Sequence, residues 1–209
     1  MFGKDWDILL GINAKELPVS VRKICDYLKI STLSYRKASD LIEEYGLEKY
    51  TKNDAFSFRN NGSFTLFYDE SLSESDARIA ILHEVAHIIT GHCATENDSF
   101  DGRCTTYNKV GGKDFDEVEE SAYAFATKLL APACVLWALK IRSYKEIEEL
   151  CLIPRHFARL RADRMEALYK REKHLLAKEG KTCFLRNRHE SAVYENFREF
   201  ITQRKKHQD

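Results

Sequence analysis

Residues 81–93 read ILHEVAHIITGHC and set His83, Glu84, His87 and His92 into an otherwise apolar stretch. His83 and His87 are four residues apart, so on a helix they lie one turn apart on the same face. That spacing lets two imidazole nitrogens converge on one ion at bond lengths of about 2.0–2.1 Å. Glu84 is rotated round the helix, so its carboxylate reaches a water on such an ion rather than the ion itself. This is the HExxH pattern, in which two histidines hold zinc and the glutamate serves as general base. The flanking Ile79, Ala80, Ile81, Leu82, Val85, Ala86, Ile88 and Ile89 are apolar almost all round, the mark of a buried helix. Polar groups taken out of water need partners, and a metal ion is a partner for all of them at once.

A catalytic zinc also needs a third protein ligand and an open position. His92 is the nearest candidate. In the HExxHxxGxxH arrangement, however, Gly follows the second His by three residues and the third His follows it by six. Here Thr90 takes the Gly position, Gly91 comes next and His92 follows directly, so the register is one short. His92 is expected to cap the helix end, where a cation suits the dipole, or to line the cleft. The other candidate is a carboxylate on a second helix, FDEVEESAYAFATKLLAP (115–132). Ala122, Phe125, Ala126, Leu129 and Leu130 form its inward face, and Glu119 continues that face at its N-terminal end. Glu120 is turned by about 100° towards solvent. Asp116, Glu117, Glu119 and Glu120 also suit the positive end of a helix dipole. The six cysteines are scattered, without a CxxC pair, and are expected to be reduced thiols, several of them buried. The spacing of Cys93 and Cys104 fits no common zinc module.

The elements that must position these residues follow from periodicity. Residues 20–30 and 34–47 carry apolar side chains at helical spacing, with Gly46 as a stop for the second helix. Phe56–Phe58 and Phe64–Tyr68 read as short strands around an Asn-Asn-Gly turn. The HExxH helix is expected to begin at Ser71 or Ser73, since SLSE and SESD both fit a capping box, and to end at Thr90 with Gly91 beyond it. A polar, glycine-containing connection (96–114) leads to the second helix, which Pro132 halts. Helices are expected through 143–176, followed by a charged tail.

With 209 residues the chain suits one large domain, or one core with a helical appendage. Lys+Arg and Asp+Glu are both 33, a neutral balance that argues against a protein devoted to wrapping DNA or to acidic substrates. A local exception lies in KEIEELCLIPRHFARLRADR (145–164), which has the rhythm of helix, short turn, helix. Arg155, Arg159, Arg161 and Arg164 make its second helix basic, so DNA binding through residues 143–166 is one alternative. Leu150, Ile153, Phe157 and Leu160 favour packing of this pair onto the core instead. No apolar run reaches bilayer length. The first residues lack the basic start, long apolar segment and cleavage site of a signal peptide, so a cytoplasmic location is expected.

The stretch FTLFYDESLSESDARIAILHEVAHIITGH, followed by EESAYAFATKLLAPACVLWAL, resembles the ImmA/IrrE family of bacterial and phage zinc metallopeptidases. Those proteins pair a HExxH helix with a downstream E-x-x-A-x-x-F-A-x-x-L-L-x-P helix. Here the second motif reads Glu119, Ala122, Phe125, Ala126, Leu129, Leu130 and Pro132, every anchor in place. Many members also carry an acidic residue just before the Ala, where this chain has Ser121. The match covers roughly residues 55–140, and residues 143–172 resemble some phage-type members more weakly.

The resemblance implies one Zn2+ per chain, held by His83, His87 and Glu119, with Glu84 as catalytic base. It also implies a zincin-like α+β fold, predominantly helical, with a small antiparallel sheet beside the HExxH helix. Residues 1–140 would form the metallopeptidase core with its N-terminal helices, and 141–209 a helical extension. Phe64–Tyr68 would then be an open edge that takes the substrate backbone as an added strand through Phe64, Leu66 and Tyr68. Tyr123 and His92 are candidates for stabilising the oxyanion, and the 93–114 connection has the length and glycines of a lid. Studied members act in the cytoplasm and cut a helix-turn-helix repressor, switching on mobile-element transfer or a stress response. A contrasting possibility is a non-proteolytic protein that sequesters a repressor around a structural zinc, although such sites are usually closed by four protein ligands.

Overall fold

The computed structural model describes residues 3–91 and 113–206. His92, Cys93, Cys104 and residues 93–112 of the proposed 93–114 lid lie outside the described residues. The chain divides into two compact units, 21–126, and 1–20 together with 127–209. The division expected from sequence lay at residue 140, with the N-terminal helices in the first part. The first helix, α1 (Lys4–Gly11), instead packs on α9 (Arg188–Asn196) within the second unit.

The unit 21–126 begins with α2 (Val21–Leu28), after which Lys29 turns into the left-handed region at φ 58°. The chain then enters a strand that the helical reading of 20–30 and 34–47 missed. This is β1 (Ile30–Ser34), whose ISTLS sequence carries the β-branched residues that suit a pleated surface. The second expected helix shrinks to α3 (Ser39–Glu44), followed by a 3₁₀ turn at Glu48–Tyr50. The hairpin forms as expected, from β2 (Ala55–Asn60) and β3 (Ser63–Tyr68). Asn61 and Gly62 between them are both left-handed, at φ 48° and 79°, as a two-residue turn matched to strand twist requires.

Strand order is β1-β3-β2, with β3 parallel to β1 (Ile30 opposite Phe64) and antiparallel to β2 (Asn60 opposite Ser63). The α+β class therefore holds, with a mixed sheet in place of a purely antiparallel one. The change has a consequence for the substrate-strand candidates. Because β1 occupies the far side of β3, the backbone of Phe64, Leu66 and Tyr68 is paired on both flanks, and Leu66 is fully buried. Phe64–Tyr68 is not an open edge and cannot accept a further strand.

On the sheet, Phe56, Phe58 and Phe67 pack with Ala38, Ile42, Leu47 and Tyr50 into an aromatic core. The Phe56 and Phe67 ring centroids lie 5.0 Å apart. Helix α4 (Glu74–Thr90) lies against β2 and β3. Of the two serines that could start it, Ser73 is the cap: its Oγ accepts from the Asp76 N–H at 3.2 Å. Ser71 instead donates its N–H to Asp69 Oδ1 at 2.7 Å in the preceding turn. Gly91 ends the helix in the left-handed conformation, φ 78°. Replacing Ser73 by Ala strands a first-turn N–H, so a loss of about 1 kcal/mol is expected in urea unfolding. An unchanged midpoint would show that the cap does not hold this helix.

The next helix is α5 (Lys113–Leu130). The second unit continues with α6 (Ala133–Ala138), α7 (Tyr144–Cys151) and α8 (Arg155–Glu179), and closes with α9 and α10 (Arg198–Lys206). Pro132 caps α6, and Ser143 with Glu146 forms a full capping box on α7. Helices α7 and α8 pack against each other, with Leu150 and Ile153 buried and Phe157 half-buried. Leu160 departs from expectation and is 52% exposed. The inward stripe of α8 is Ala158, Arg161 and Met165. Arg161 is buried because its Nε donates to Ala131 O at 2.8 Å, an orphan carbonyl just past the last turn of α5. Burial lowers its pKa to about 10, which leaves it charged at neutral pH. Arg161 thus leaves the set of four arginines that made α8 read as a DNA-facing helix. Arg155 pairs with Glu148 at 3.6 Å, and Arg155 and Arg159 both lie over the Tyr144 ring.

Cys25, Cys134 and Cys151 are buried, and none of the four described cysteines is in a disulfide. Burial pushes the Cys25 and Cys134 thiols up to about 12, the setting of packed, unreactive thiols. No described helix is long and apolar enough to cross a membrane.

Candidate metal centre

The site lies within the unit 21–126, on α4 and on the part of α5 that belongs to it. Helix α4 holds His83 and His87 on one face with ring centroids 4.5 Å apart, and α5 supplies Glu119. His83 Nε2 lies 3.0 Å from Glu119 Oε2, and His87 Nε2 lies 3.2 Å from Glu119 Oε1. The two Nε2 atoms are 2.9 Å from each other. Both histidines are at least nine-tenths buried, and Glu119 is partly buried. Glu120, one residue along, is exposed. The face inferred for Glu119 from the period of α5 is the face it occupies.

Each placement of protons in this arrangement carries a cost. A neutral imidazole nitrogen either donates through its hydrogen or accepts through its lone pair. If both Nε2 atoms carry hydrogens towards the carboxylate, two donors face each other across 2.9 Å. If one of them is bare, its lone pair faces a carboxylate oxygen. Protonating Glu119 would resolve the second case. Burial pushes the Glu119 pKa upward, and where both histidines donate to it their bonds outweigh burial and bring it down to about 2, so in the first case it is a carboxylate. Burial likewise lowers the pKa of His83, which favours its neutral form. A cation that accepts a lone pair from each corner removes the conflict. Donors at bond lengths of 2.0–2.1 Å on a tetrahedron sit about 3.3 Å apart, and one donor atom from each of the three residues lies within 4.8 Å of the others. Two imidazoles and a carboxylate are a donor set that suits zinc, and among the described residues His83, His87 and Glu119 form the one cluster with this capacity.

Glu84 follows His83 on α4 and is 1% exposed. It stands outside the three-donor cluster, and its charge reaches Tyr35. The Tyr35 phenol donates to Asn53 O at 2.8 Å. Burial first, then the charges of Asp69, Glu84 and Asp54, hold that phenol protonated. Sequence reasoning missed Tyr35 because it follows a strand read as helix. Tyr123, proposed as an oxyanion donor, is 37% exposed and lies with its ring centroid 4.0 Å from that of His83. It is therefore beside the cluster, where it holds the plane of the His83 ring. Among the described residues, His83 Nδ1 is buried without a hydrogen-bond partner. In zinc sites the non-ligating nitrogen usually has one, so here ring packing does the orienting.

Neither a protein-family model nor a curated protein matches the chain.

Proposed function

We propose that this chain is a zinc-dependent endopeptidase with a zincin-like catalytic unit, related to the ImmA/IrrE metallopeptidases, and that it cuts a helix-turn-helix repressor in the cytoplasm. The observation that carries this reading is the convergence of His83 Nε2, His87 Nε2 and both Glu119 oxygens at 2.9–3.2 Å, a donor set that one cation would satisfy. The two sequence motifs that resemble the family supply exactly one helix each to this cluster.

When bound, zinc supplies a Lewis acid, polarises the scissile carbonyl and brings the pKa of water down towards about 7. Among the described residues only His83, His87 and Glu119 would hold the ion, and three protein ligands with a fourth position for water are what catalytic zinc sites use. Glu84, held off the cluster by its position on α4, takes a proton from the attacking water and hands it to the leaving amine. Its burial keeps bulk water from competing for that proton. Tyr123 is the residue beside His83 best placed to donate to a developing oxyanion.

The test is proteolysis itself. Zinc-loaded protein is incubated with a helix-turn-helix repressor encoded beside it, and in parallel with a proteome-derived peptide library, and new N-termini are read by mass spectrometry. Cleavage at defined bonds that stops with a chelator and returns with zinc is the expected outcome. Absence of new termini in both substrates would remove the peptidase reading.

A further inference from the structure

A cavity of about 340 Å³ lies wholly within the unit formed by residues 1–20 and 127–209. Its volume is that of a small-molecule site. Lys140, Arg142 and Lys205 line it, with Glu172 as its single carboxylate. Neutral donors hold Glu172 in place: both of its oxygens accept from Trp137 Nε1 at 3.1 Å, and Oε1 accepts from Thr182 Oγ1 at 2.8 Å. Among the described residues, none of the three cations forms an ion pair. Three positive charges therefore face one space against a single carboxylate, which leaves the cavity net positive.

The walls of the cavity are fixed. Trp137 stacks on Phe184 at 4.9 Å between centroids and 18° between planes. Tyr169 donates its hydroxyl to Ile141 O at 3.2 Å, and the Arg142 guanidinium lies 4.3 Å from the Tyr169 ring centroid. Arg142 is thereby held against an aromatic face rather than left to sweep through solvent. Half-buried Tyr194 completes the aromatic lining. A lone carboxylate would occupy one of the cations. A phosphate group carries close to two charges at neutral pH and offers three acceptor oxygens, which matches one guanidinium fork and two ammonium groups. The aromatic wall offers contact area to a flat organic group joined to it.

We propose that this cavity binds a nucleoside phosphate, its phosphate between Lys140, Arg142 and Lys205 and its base against Trp137 and Tyr194. The three cations are exposed, so their replacement leaves the core intact. Lys140 sits at φ 58°, a conformation that Asn tolerates, so the informative variant is Lys140→Asn with Arg142→Gln and Lys205→Gln.

The experiment is calorimetric titration of the full chain with the four common nucleoside 5′-monophosphates, with adenosine, and with inorganic phosphate. At least one monophosphate is expected to saturate a single site. It should bind about tenfold or more tightly than its nucleoside or than inorganic phosphate, and weaken by at least about tenfold in the triple variant. Circular dichroism of that variant should match the parent. No binding by any monophosphate would overturn the proposal, as would affinity retained in the triple variant. Inorganic phosphate binding as well as the best nucleotide would also overturn it. So would binding seen only with single-stranded oligonucleotides, since that would make the cavity part of a nucleic-acid surface.

Discussion

A Glu84→Gln protein should keep its full complement of zinc and lose peptidase activity by about a thousandfold, within the range of about 10²–10⁴ that general acid–base catalysis contributes. Glutamine preserves the volume and much of the hydrogen bonding of a side chain that is 1% exposed, so packing changes little. What disappears is a carboxylate able to take a proton and return it. Zinc retention is expected because Glu84 stands outside the cluster of His83, His87 and Glu119. The loss corresponds to about 4 kcal/mol of transition-state stabilisation and should fall on kcat rather than on KM. Activity at the parent level would mean that Glu84 handles no proton, and would favour a protein that captures its repressor without cutting it.

Substitution at the third corner acts on the metal itself. Glu119→Ala should weaken zinc binding by about a hundredfold or more, while Glu120→Ala binds as the parent does. Loss of an outer partner of a zinc ligand already costs about 10–100-fold, and removal of a ligand should exceed that. The pair is informative because the residues are adjacent, equal in charge and both on the first half of α5. They differ in direction alone, since Glu120 is exposed and Glu119 touches both imidazoles at 3.0 and 3.2 Å. A general effect of negative charge would make the two variants alike. Competition with a chromophoric chelator reads the difference, and equal affinities would sink the assignment.

What the sequence revealed and concealed divides along local and non-local lines. Helix α4 was legible almost to the residue, because its signals are contained in its own span. These are the Ser73 cap, the glycine at its end, and two histidines on one turn. Glu119 was legible because the period of α5 carries the inward face of Ala122 and Phe125 back to it. The sheet order was not. Nothing in ISTLS says that it will lie beside residues 64–68, and without that strand Phe64–Tyr68 looked like an edge. Arg161 misled for a related reason. An arginine in a basic run reads as exposed, and the carbonyl that draws it inward, Ala131 O, lies thirty residues away. Leu160 took the opposite course, an apolar residue left 52% exposed because the stripe of α8 runs through Ala158, Arg161 and Met165. The cavity built by Lys140, Arg142 and Lys205 shows no motif in sequence, since it gathers three exposed cations from two separate stretches.

The central claim is that His83, His87 and Glu119 together hold one zinc ion. Zinc-edge X-ray absorption on the purified, zinc-reconstituted chain, with metal content measured on the same sample, tests it most directly. About one zinc per chain, in a shell of nitrogen and oxygen at about 2.0–2.1 Å with imidazole scattering from two histidines, is the expected result. Chains that take up no zinc, or a shell containing sulfur at about 2.3 Å, would contradict it.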